Sequence, residues 1–182
     1  MEESNNKFRG WNLTNYNHKD ILNMINGNMK NDIFIGDYII IDKIAFRFAR
    51  FYENKYAVLV PDRIIGKSKN CFTKYIRNSY EESYIHKVVL PRLLSYFAVN
   101  EFPIIDARLM SEADILTLPL FAYDNSFVKE YFGNPYLLSD QNNKNSYKCI
   151  DAEGKISITN ANSYMGIRPK ICIGNTIFLR NF

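Results

Sequence analysis

The chain has few cysteines, histidines and glycines for its 182 residues. Its three cysteines, Cys71, Cys149 and Cys172, are an odd number at wide spacings, which excludes a complete disulfide framework and a CxxC metal motif. We expect reduced thiols, with Cys149 and Cys172 buried in strands; a Cys149–Cys172 bond is the alternative. Neither His18 nor His86 belongs to an HExxH motif or a His/Cys cluster, so we expect no metal site.

Long apolar runs are also missing from the sequence. No stretch approaches the roughly 18 apolar residues of a membrane span, and the acidic, polar first residues predict a chain without a signal peptide. Aromatic residues, by contrast, make up 15% of the chain, and asparagine contributes 22 residues. The aromatic enrichment favours a strand-rich fold. The length favours a single domain over residues 1–182.

Signatures of enzymes are absent too. The sequence contains no Gly-x-Ser-x-Gly elbow and no phosphate-binding glycine loop. A Cys149–His86 dyad is conceivable, but no feature of the sequence favours it over two core residues. The paired carboxylates Glu81-Glu82 are more simply explained as the first turn of a helix. We therefore expect no catalytic residue, no cofactor and no enzymatic activity.

The net charge of +4 is distributed unevenly. Residues 43–77 carry nine Lys or Arg against two acids, and residues 154–182 carry four bases and no acid, whereas residues 101–153 hold nine acids against four bases. Such a basic stretch is either a set of solvated strand faces or a surface that meets phosphate or an acidic protein. Because no nucleic-acid-binding motif accompanies it, we favour a protein partner and leave direct nucleic-acid contact open.

The first half of the chain predicts helices and strands in alternation. Asn15 and Asn17 are candidate caps for a helix over 18–26. The extended segments are a central strand at Tyr38–Ile41, a half-buried strand at 45–51 with its arginines outward, a hairpin partner at Tyr56–Val60 and a short stretch at 104–110. Residues 66–78 are predicted to be a loop. Two helical pieces over 79–97 should meet at Pro91, with Pro91 as the first residue of the second. A capping box at Ser111 should open a helix that ends before Pro119.

The second half predicts short strands joined by tight turns. The candidates are Tyr136–Ser139, Ser146–Ile150, Lys155–Thr159, Ile167–Ile173 and Thr176–Leu179, with residues 151–154 forming a hairpin turn. The expected fold is therefore α+β, with short antiparallel strands and two or three helices packed outside. We expect Tyr136–Leu179 to form one antiparallel sheet, covered by helices 18–26 and 79–97.

Two kinds of side chain are candidates for partner binding. Cations of the basic stretch can reach phosphate or carboxylate, and the loops near residues 140–145 and 160–164 combine amides, hydroxyls and tyrosine, as binding loops do. Asparagine also satisfies turns that need positive φ, and that simpler role remains an alternative. The candidate binding residues are Arg47, Arg50, Lys67, Lys69, Lys74, Asn142, Asn143, Lys144, Asn162 and Tyr164.

Several motifs, in order, resemble those of a family of phage-encoded structural proteins and their prophage relatives. The resemblance covers about residues 8–174 and is carried by Phe8-Arg9-Gly10, Gly36-Asp37-Tyr38, Val60-Pro61-Asp62, Leu109-Met110-Ser111, Leu118-Pro119-Leu120-Phe121, the hairpin glycine Gly154 and Asn162-Ser163-Tyr164-Met165-Gly166-Ile167-Arg168-Pro169. The chain departs from the family pattern at Leu137, Leu138 and Ser139, where relatives carry a Trp-Leu-Arg sequence, and at Lys170, where they carry an apolar residue.

The resemblance implies a C-type-lectin-like fold in which Gly36, Asp37, Gly154, Gly166, Arg168 and Pro169 form a structural signature and Arg168 is a buried scaffold residue. It implies a phage- or prophage-encoded, non-enzymatic protein-binding module. One expected function is inhibition of host defence in the bacterial cytoplasm, most concretely as a type II-A anti-CRISPR protein that binds the Cas9–guide RNA complex. The alternative is a virion accessory or receptor-binding protein. An enzyme is a distant third.

Overall fold

The computed structural model of the chain describes residues 8–27, 33–52, 56–68, 80, 83–99, 102, 104–143, 146–160 and 162–174. These residues form ten strands in two five-stranded sheets, together with short helices. The α+β class predicted from the sequence is therefore confirmed. None of the described helices is long and apolar enough to cross a membrane.

The first sheet is antiparallel throughout. Its strands, in spatial order, are β1 (Tyr38–Ile41), β2 (Ile44–Tyr52), β3 (Tyr56–Pro61), β10 (Pro169–Gly174) and β5 (Ile104–Leu109). The second sheet has one parallel pair, β6 with β9, and is otherwise antiparallel. Its order is β4 (Gly66–Ser68), β9 (Met165–Ile167), β6 (Tyr136–Asn143), β7 (Ser146–Ile150) and β8 (Ile156–Asn160).

The helices are short, and their ends follow signals that are visible in the sequence. They are α1 (His18–Ile25), a π-helical turn (Ile85–Val89), α2 (Leu90–Val99), α3 (Glu112–Thr117), α4 (Pro119–Tyr123) and a 3-10 turn (Asn125–Val128). The Asn17 side chain accepts a hydrogen bond from the amide of Asp20 and caps α1. Ser111 and Asp114 form the predicted capping box of α3, and Pro119 begins the next helix because its fixed φ suits a first turn.

The expectation of one C-terminal sheet over Tyr136–Leu179 is wrong. The chain changes sheets at Arg168, so β9 lies in the second sheet whereas β10 lies in the first, between β3 and β5. The sequence does not mark this break, since the segments on both sides of Arg168 are extended and largely buried. The last predicted strand, Thr176–Leu179, lies outside the described residues.

Three further expectations need correction. The segment 66–78 is not wholly loop, because residues 66–68 form β4; the remainder lies outside the described residues. Strand β1 is at the edge of its sheet rather than at its centre, and Ile40 is exposed. Its apolar run is partly explained by the segment around Asn12, which lies beside β1 through a parallel bridge to Tyr38. Pro91 is the second residue of α2 rather than the first.

The buried apolar residues that the structure describes form two clusters. The larger contains Ile21 of α1, Ile85 of the π-helical turn and residues of both sheets, including Leu59 and Leu137. Helix α1 and the π-helical turn therefore pack against a core that both sheets share. The smaller cluster lies under α3 and α4 and includes Phe121.

Candidate functional site

Arg168 lies buried where the two sheets meet, with only 1% of its surface exposed. Its guanidinium donates hydrogen bonds to the carbonyls of Pro61 (2.8 Å), Phe127 (2.8 Å) and Val128 (2.9 Å) and to the hydroxyl of Tyr136 (3.2 Å). These partners belong to β3, the 3-10 turn and β6. Arg168 thus connects three elements, and its position places it in the scaffold rather than on a binding surface.

Two separate motifs of the sequence meet at Asp37, which is fully buried. Its carboxylate accepts hydrogen bonds from the Arg9 guanidinium and from the amides of Trp11 (2.9 Å) and Phe34 (3.0 Å). Gly36 has a φ of +90°, and a Cβ there would stand 2.4 Å from the Phe8 ring. The Phe8-Arg9-Gly10 and Gly36-Asp37 motifs therefore form one structural unit.

The remaining signature residues also have local structural roles. Gly154, with a φ of +86°, lies at the turn between β7 and β8. The amide of Gly166 donates to the carbonyl of Pro135, and a Cβ at Gly166 would stand 2.8 Å from that oxygen and 2.5 Å from Cγ2 of Ile64. Pro169 begins β10 opposite Leu109. The close approach at Gly166 leaves no room for a side chain.

The arginines of β2 make contacts within the fold. A bulge between Phe48 and Arg50 alters the alternation of the strand. Arg47 pairs with Asp62 at 2.7 Å and lies over the rings of Tyr38 and Phe127. Arg50 donates to the Thr117 carbonyl and to the hydroxyl of Tyr52. The arginine face that we expected to be open to solvent is therefore largely covered.

Other cations lie near two exposed aromatic rings. Tyr131 is 76% exposed and Phe132 is 62% exposed, and their rings meet edge to face at 4.9 Å. Arg63 lies 6.0 Å over the Phe132 ring and donates to the Lys43 carbonyl. The Lys129 side chain passes close to Gly133, and Lys67 Nζ lies 3.4 Å from the side-chain oxygen of Asn134. We call Arg63, Lys67, Lys129, Tyr131 and Phe132 the basic aromatic patch.

The turn that carries this patch is fixed by a buried carboxylate. Glu130 is 2% exposed and accepts hydrogen bonds from the amides of Ile64, Phe132 and Asn134 and from the Asn134 side chain, at 2.8 to 3.1 Å. Burial alone would raise the pKa of Glu130, but these hydrogen bonds outweigh it and lower the pKa. The amide of Tyr131 donates to the Asp62 carbonyl. The turn 130–134 is therefore held against residues 62–64.

A groove of about 400 Å³ adjoins the patch. One wall is formed by β4 and the residue before β9, because β4 pairs Lys67 with Gly166 and Ser68 with Met165. The opposite wall is the π-helical turn and the start of α2. The lining residues are Lys67, Ser68, Tyr84, Val88, Val89, Arg92 and Tyr164, and none of these described residues is acidic. Two predicted binding residues, Lys67 and Tyr164, are thus brought together.

The asparagine-rich loops meet at one end of the second sheet. Asn143 lies opposite Ser146, which in turn lies opposite Asn160. The Asn142 amide donates to the Ser146 hydroxyl, and the Asn160 side chain accepts from the backbone of Asn162. Asn160 therefore stabilises a turn, whereas the neighbouring amides line an exposed end.

The candidate residues do not form a single site. Lys67 and Tyr164 lie at the groove, Asn142, Asn143 and Asn162 lie in the asparagine-rich loops, and Arg47 and Arg50 are tied into the fold. Lys69, Lys74 and Lys144 lie outside the described residues. Sequence reasoning missed five exposed residues, Tyr84, Arg92, Lys129, Tyr131 and Phe132. The Tyr131-Phe132 pair, next to the turn-forming Gly133-Asn134, was the signal available for two of them.

The described thiols are both free. Cys149 lies in β7 of the second sheet, whereas Cys172 lies in β10 of the first. Burial raises the pKa of both thiols, to about 11 at Cys172. A raised pKa lowers the thiolate fraction at neutral pH and therefore the reactivity of these side chains.

Comparison of the chain with known protein families, with characterised proteins and with solved structures finds no match. A function for the chain has to be inferred from its own residues and their contacts. The basic aromatic patch and the groove each combine cations with exposed aromatic rings.

Proposed function

We propose that this chain is a non-enzymatic protein-binding module of phage or prophage origin on a C-type-lectin-like scaffold. The observation that carries the proposal is the basic aromatic patch, in which Arg63 lies over one of two strongly exposed rings and Lys67 and Lys129 lie beside the same turn. Large aromatic residues and arginine are enriched at protein interfaces and among the residues that dominate binding energy. Two exposed rings in contact form a contiguous apolar surface, which favours a partner that covers it.

The backbone of the patch is suited to binding because it is ordered before a partner arrives. The Glu130 carboxylate accepts from the amides of Phe132 and Asn134, which follow Tyr131, and the Asp62 carbonyl accepts from the amide of Tyr131 itself. A loop that is already in its bound conformation loses less entropy on association. Rigid rings on a fixed turn therefore favour a specific interface over a nonspecific hydrophobic contact.

The charge of the patch indicates an acidic partner surface. Two of the neighbouring acids already have partners within the fold, since Asp62 is paired with Arg47 and Glu130 accepts hydrogen bonds from backbone amides. Positive charge accelerates encounter with an acidic protein or a ribonucleoprotein. The most concrete function is inhibition of a host CRISPR–Cas9 nuclease in the bacterial cytoplasm, by binding of the nuclease–guide RNA complex.

The alternative function is that of a virion accessory or receptor-binding protein. The motif resemblance to phage structural proteins supports it, as does the exposed end formed by Asn142, Asn143 and Asn162. Amide-rich loops on a rigid sheet provide adaptable hydrogen bonds to a host-surface ligand. On this alternative, the asparagine-rich loops rather than the patch would carry the function.

The deciding experiment is a pull-down of Cas9 homologues with the full chain, with and without guide RNA, followed by a DNA-cleavage assay. The variant Tyr131→Ala/Phe132→Ala removes both exposed rings. Tyr16→Ala is the matched control, since Tyr16 is an exposed tyrosine of another surface. We expect the double variant to lose binding and inhibition while it keeps its thermal stability, and the control to retain both.

Two results would contradict the proposal in different ways. Undiminished binding by the double variant would remove the patch from the interface. Failure to bind any Cas9 homologue, together with detection of the chain in purified virions, would reject the inhibitor and favour the virion role. In that case, substitutions at Asn142 and Asn143 should reduce adsorption of phage to host cells.

A further inference from the structure

The groove beside the patch has two walls of different origin, and each carries one exposed tyrosine and one cation. Tyr164 and Lys67 come from the second sheet, whereas Tyr84 and Arg92 come from the helical wall. Tyr84 is 44% exposed and Tyr164 is 57% exposed. The helical residues Tyr84, Val88 and Arg92 recur every four positions, so one face of that segment points into the groove.

Both walls are held in place by contacts outside the groove. The buried Ser83 hydroxyl accepts from the amide of His86, and the Ser83 carbonyl accepts from the amide of Lys87. On the sheet side, β4 pairs with β9 and the amide of Ile65 donates to the Ile167 carbonyl. The helical wall includes a π-helical turn, a rare conformation that occurs frequently at functional sites.

We propose that this groove binds a short segment of single-stranded nucleic acid. A base would stack against Tyr84 or Tyr164, and Lys67 and Arg92 would contact the phosphates on either side. Proteins that bind single strands without sequence preference combine a positively charged groove with aromatic rings that stack on bases. A volume of about 400 Å³ is within the ordinary range for small-ligand sites and is sufficient for about one nucleotide.

An acidic peptide would make fewer contacts with the residues of this groove. Its carboxylates could pair with Lys67 and Arg92, but it would have no flat group to place against two phenol rings. The exposed Val88 adds apolar area on the helical wall, which a base edge or a sugar would also cover. The combination of rings and cations therefore favours a nucleotide over a carboxylate chain.

Binding is measured by fluorescence anisotropy with a labelled 12-nucleotide oligouridine at low salt. We expect Tyr164→Ala and Tyr84→Ala each to weaken binding by roughly 5- to 150-fold, the range seen when one stacked base loses its aromatic partner. Arg92→Gln should weaken binding and reduce the slope of log K against log salt by about 0.7, the contribution of one contact to a single strand. Tyr16→Ala and Lys155→Gln are matched controls away from the groove and should bind as the unmodified chain does.

A 12-residue oligoglutamate peptide is the competing ligand. If it binds as tightly as the oligouridine and the tyrosine substitutions have no effect, the groove is only a cationic surface and the proposal is wrong. No binding of the oligouridine at low salt would also overturn it.

The inference does not depend on the protein partner proposed above. Tyr164 and Arg92 lie outside the basic aromatic patch, so their substitution tests the groove alone. The variant Tyr131→Ala/Phe132→Ala should lose the protein partner and keep oligouridine affinity. Thermal melting of each variant separates loss of binding from loss of folding.

Discussion

Substitution of Arg168 by methionine tests the role of the buried guanidinium most directly. Methionine has a similar length and no charge, so it removes the four hydrogen bonds without leaving a large cavity. The hydroxyl of Tyr136 and the Val128 carbonyl retain their mutual bond of 2.6 Å. The carbonyls of Pro61 and Phe127, however, lose the bonds that Arg168 donates to them.

The expected cost follows from these two carbonyls. A buried polar group that loses its partner costs about 1–3 kcal/mol. Two such groups would cost about 2–6 kcal/mol, and relief from burying an arginine charge offsets part of this. We therefore expect Arg168→Met to lower the free energy of unfolding by about 3 kcal/mol, a large share of the roughly 5–15 kcal/mol of a typical domain.

Urea unfolding followed by circular dichroism measures this change. Arg92→Met is the matched control, because Arg92 is exposed and its loss should change the free energy of unfolding by no more than about 0.5 kcal/mol. Arg168→Lys should be at least as damaging as Arg168→Met, since the buried charge remains and its three donors cannot reach four acceptors. If Arg168→Met lowers the free energy of unfolding by less than about 1 kcal/mol, this reasoning is wrong and other contacts stabilise the junction of the sheets.

Three further predictions concern stability and reactivity. Gly166→Ala should cost about 1–3 kcal/mol in urea unfolding, because its Cβ would meet the Pro135 carbonyl, whereas Gly10→Ala, with nothing within 4 Å, should be nearly neutral; equal effects would contradict the packing argument. Because folding lowers the pKa of Glu130, its contribution to stability is complete above the ordinary pKa of about 4.3 and is lost as pH falls through the lower folded value. The stability difference between the unmodified chain and Glu130→Gln should therefore shrink between pH 6 and pH 3, and a constant difference would argue against it. In a Cys71→Ser variant at pH 8, the two remaining thiols should react slowly with a thiol reagent in the native state and fully in urea, since burial raises the pKa of both; rapid native labelling would count against that burial.

Local signals in the sequence predicted the starts of two helices and one hairpin turn. The caps at Asn17 and Ser111 depend on side chains that hydrogen-bond to backbone only three residues away, so the sequence alone contains both partners. The hairpin around Gly154 is equally local, because a residue with positive φ fixes the turn between adjacent strands.

The assignment of strands to sheets could not be predicted in the same way. Strands β9 and β10 are separated by a single residue. The residue pattern of a buried strand is the same whichever sheet the strand joins. The decisive contacts of Arg168 reach residues 32 to 107 positions away along the chain. Strand β4 has only three residues, which is too short for an alternation pattern to be recognised.

The candidate binding surface was predicted in part for a related reason. The charge count identified the basic stretch, but a count cannot distinguish Arg47, which is paired with Asp62, from Arg63, which lies over Phe132. Pairing depends on tertiary contacts that net charge does not record. The aromatic half of the patch comes from a turn more than 60 residues later, held in place by Glu130.

Lys67 lies where the two proposed binding surfaces adjoin. Its position determines which substitutions can test one surface without affecting the other. Its side-chain nitrogen faces Asn134 on the patch side, while its strand forms a wall of the groove. A substitution at Lys67 would therefore weaken the binding of both a protein partner and a nucleic-acid strand. The result could not show which of the two surfaces binds a given ligand. Phe132 belongs to the patch alone and Arg92 to the groove alone. If one ribonucleoprotein partner covers both surfaces, the free energies lost in Phe132→Ala and Arg92→Gln should add within about 0.5 kcal/mol, as they do for independent distant contacts, and neither variant should abolish binding completely.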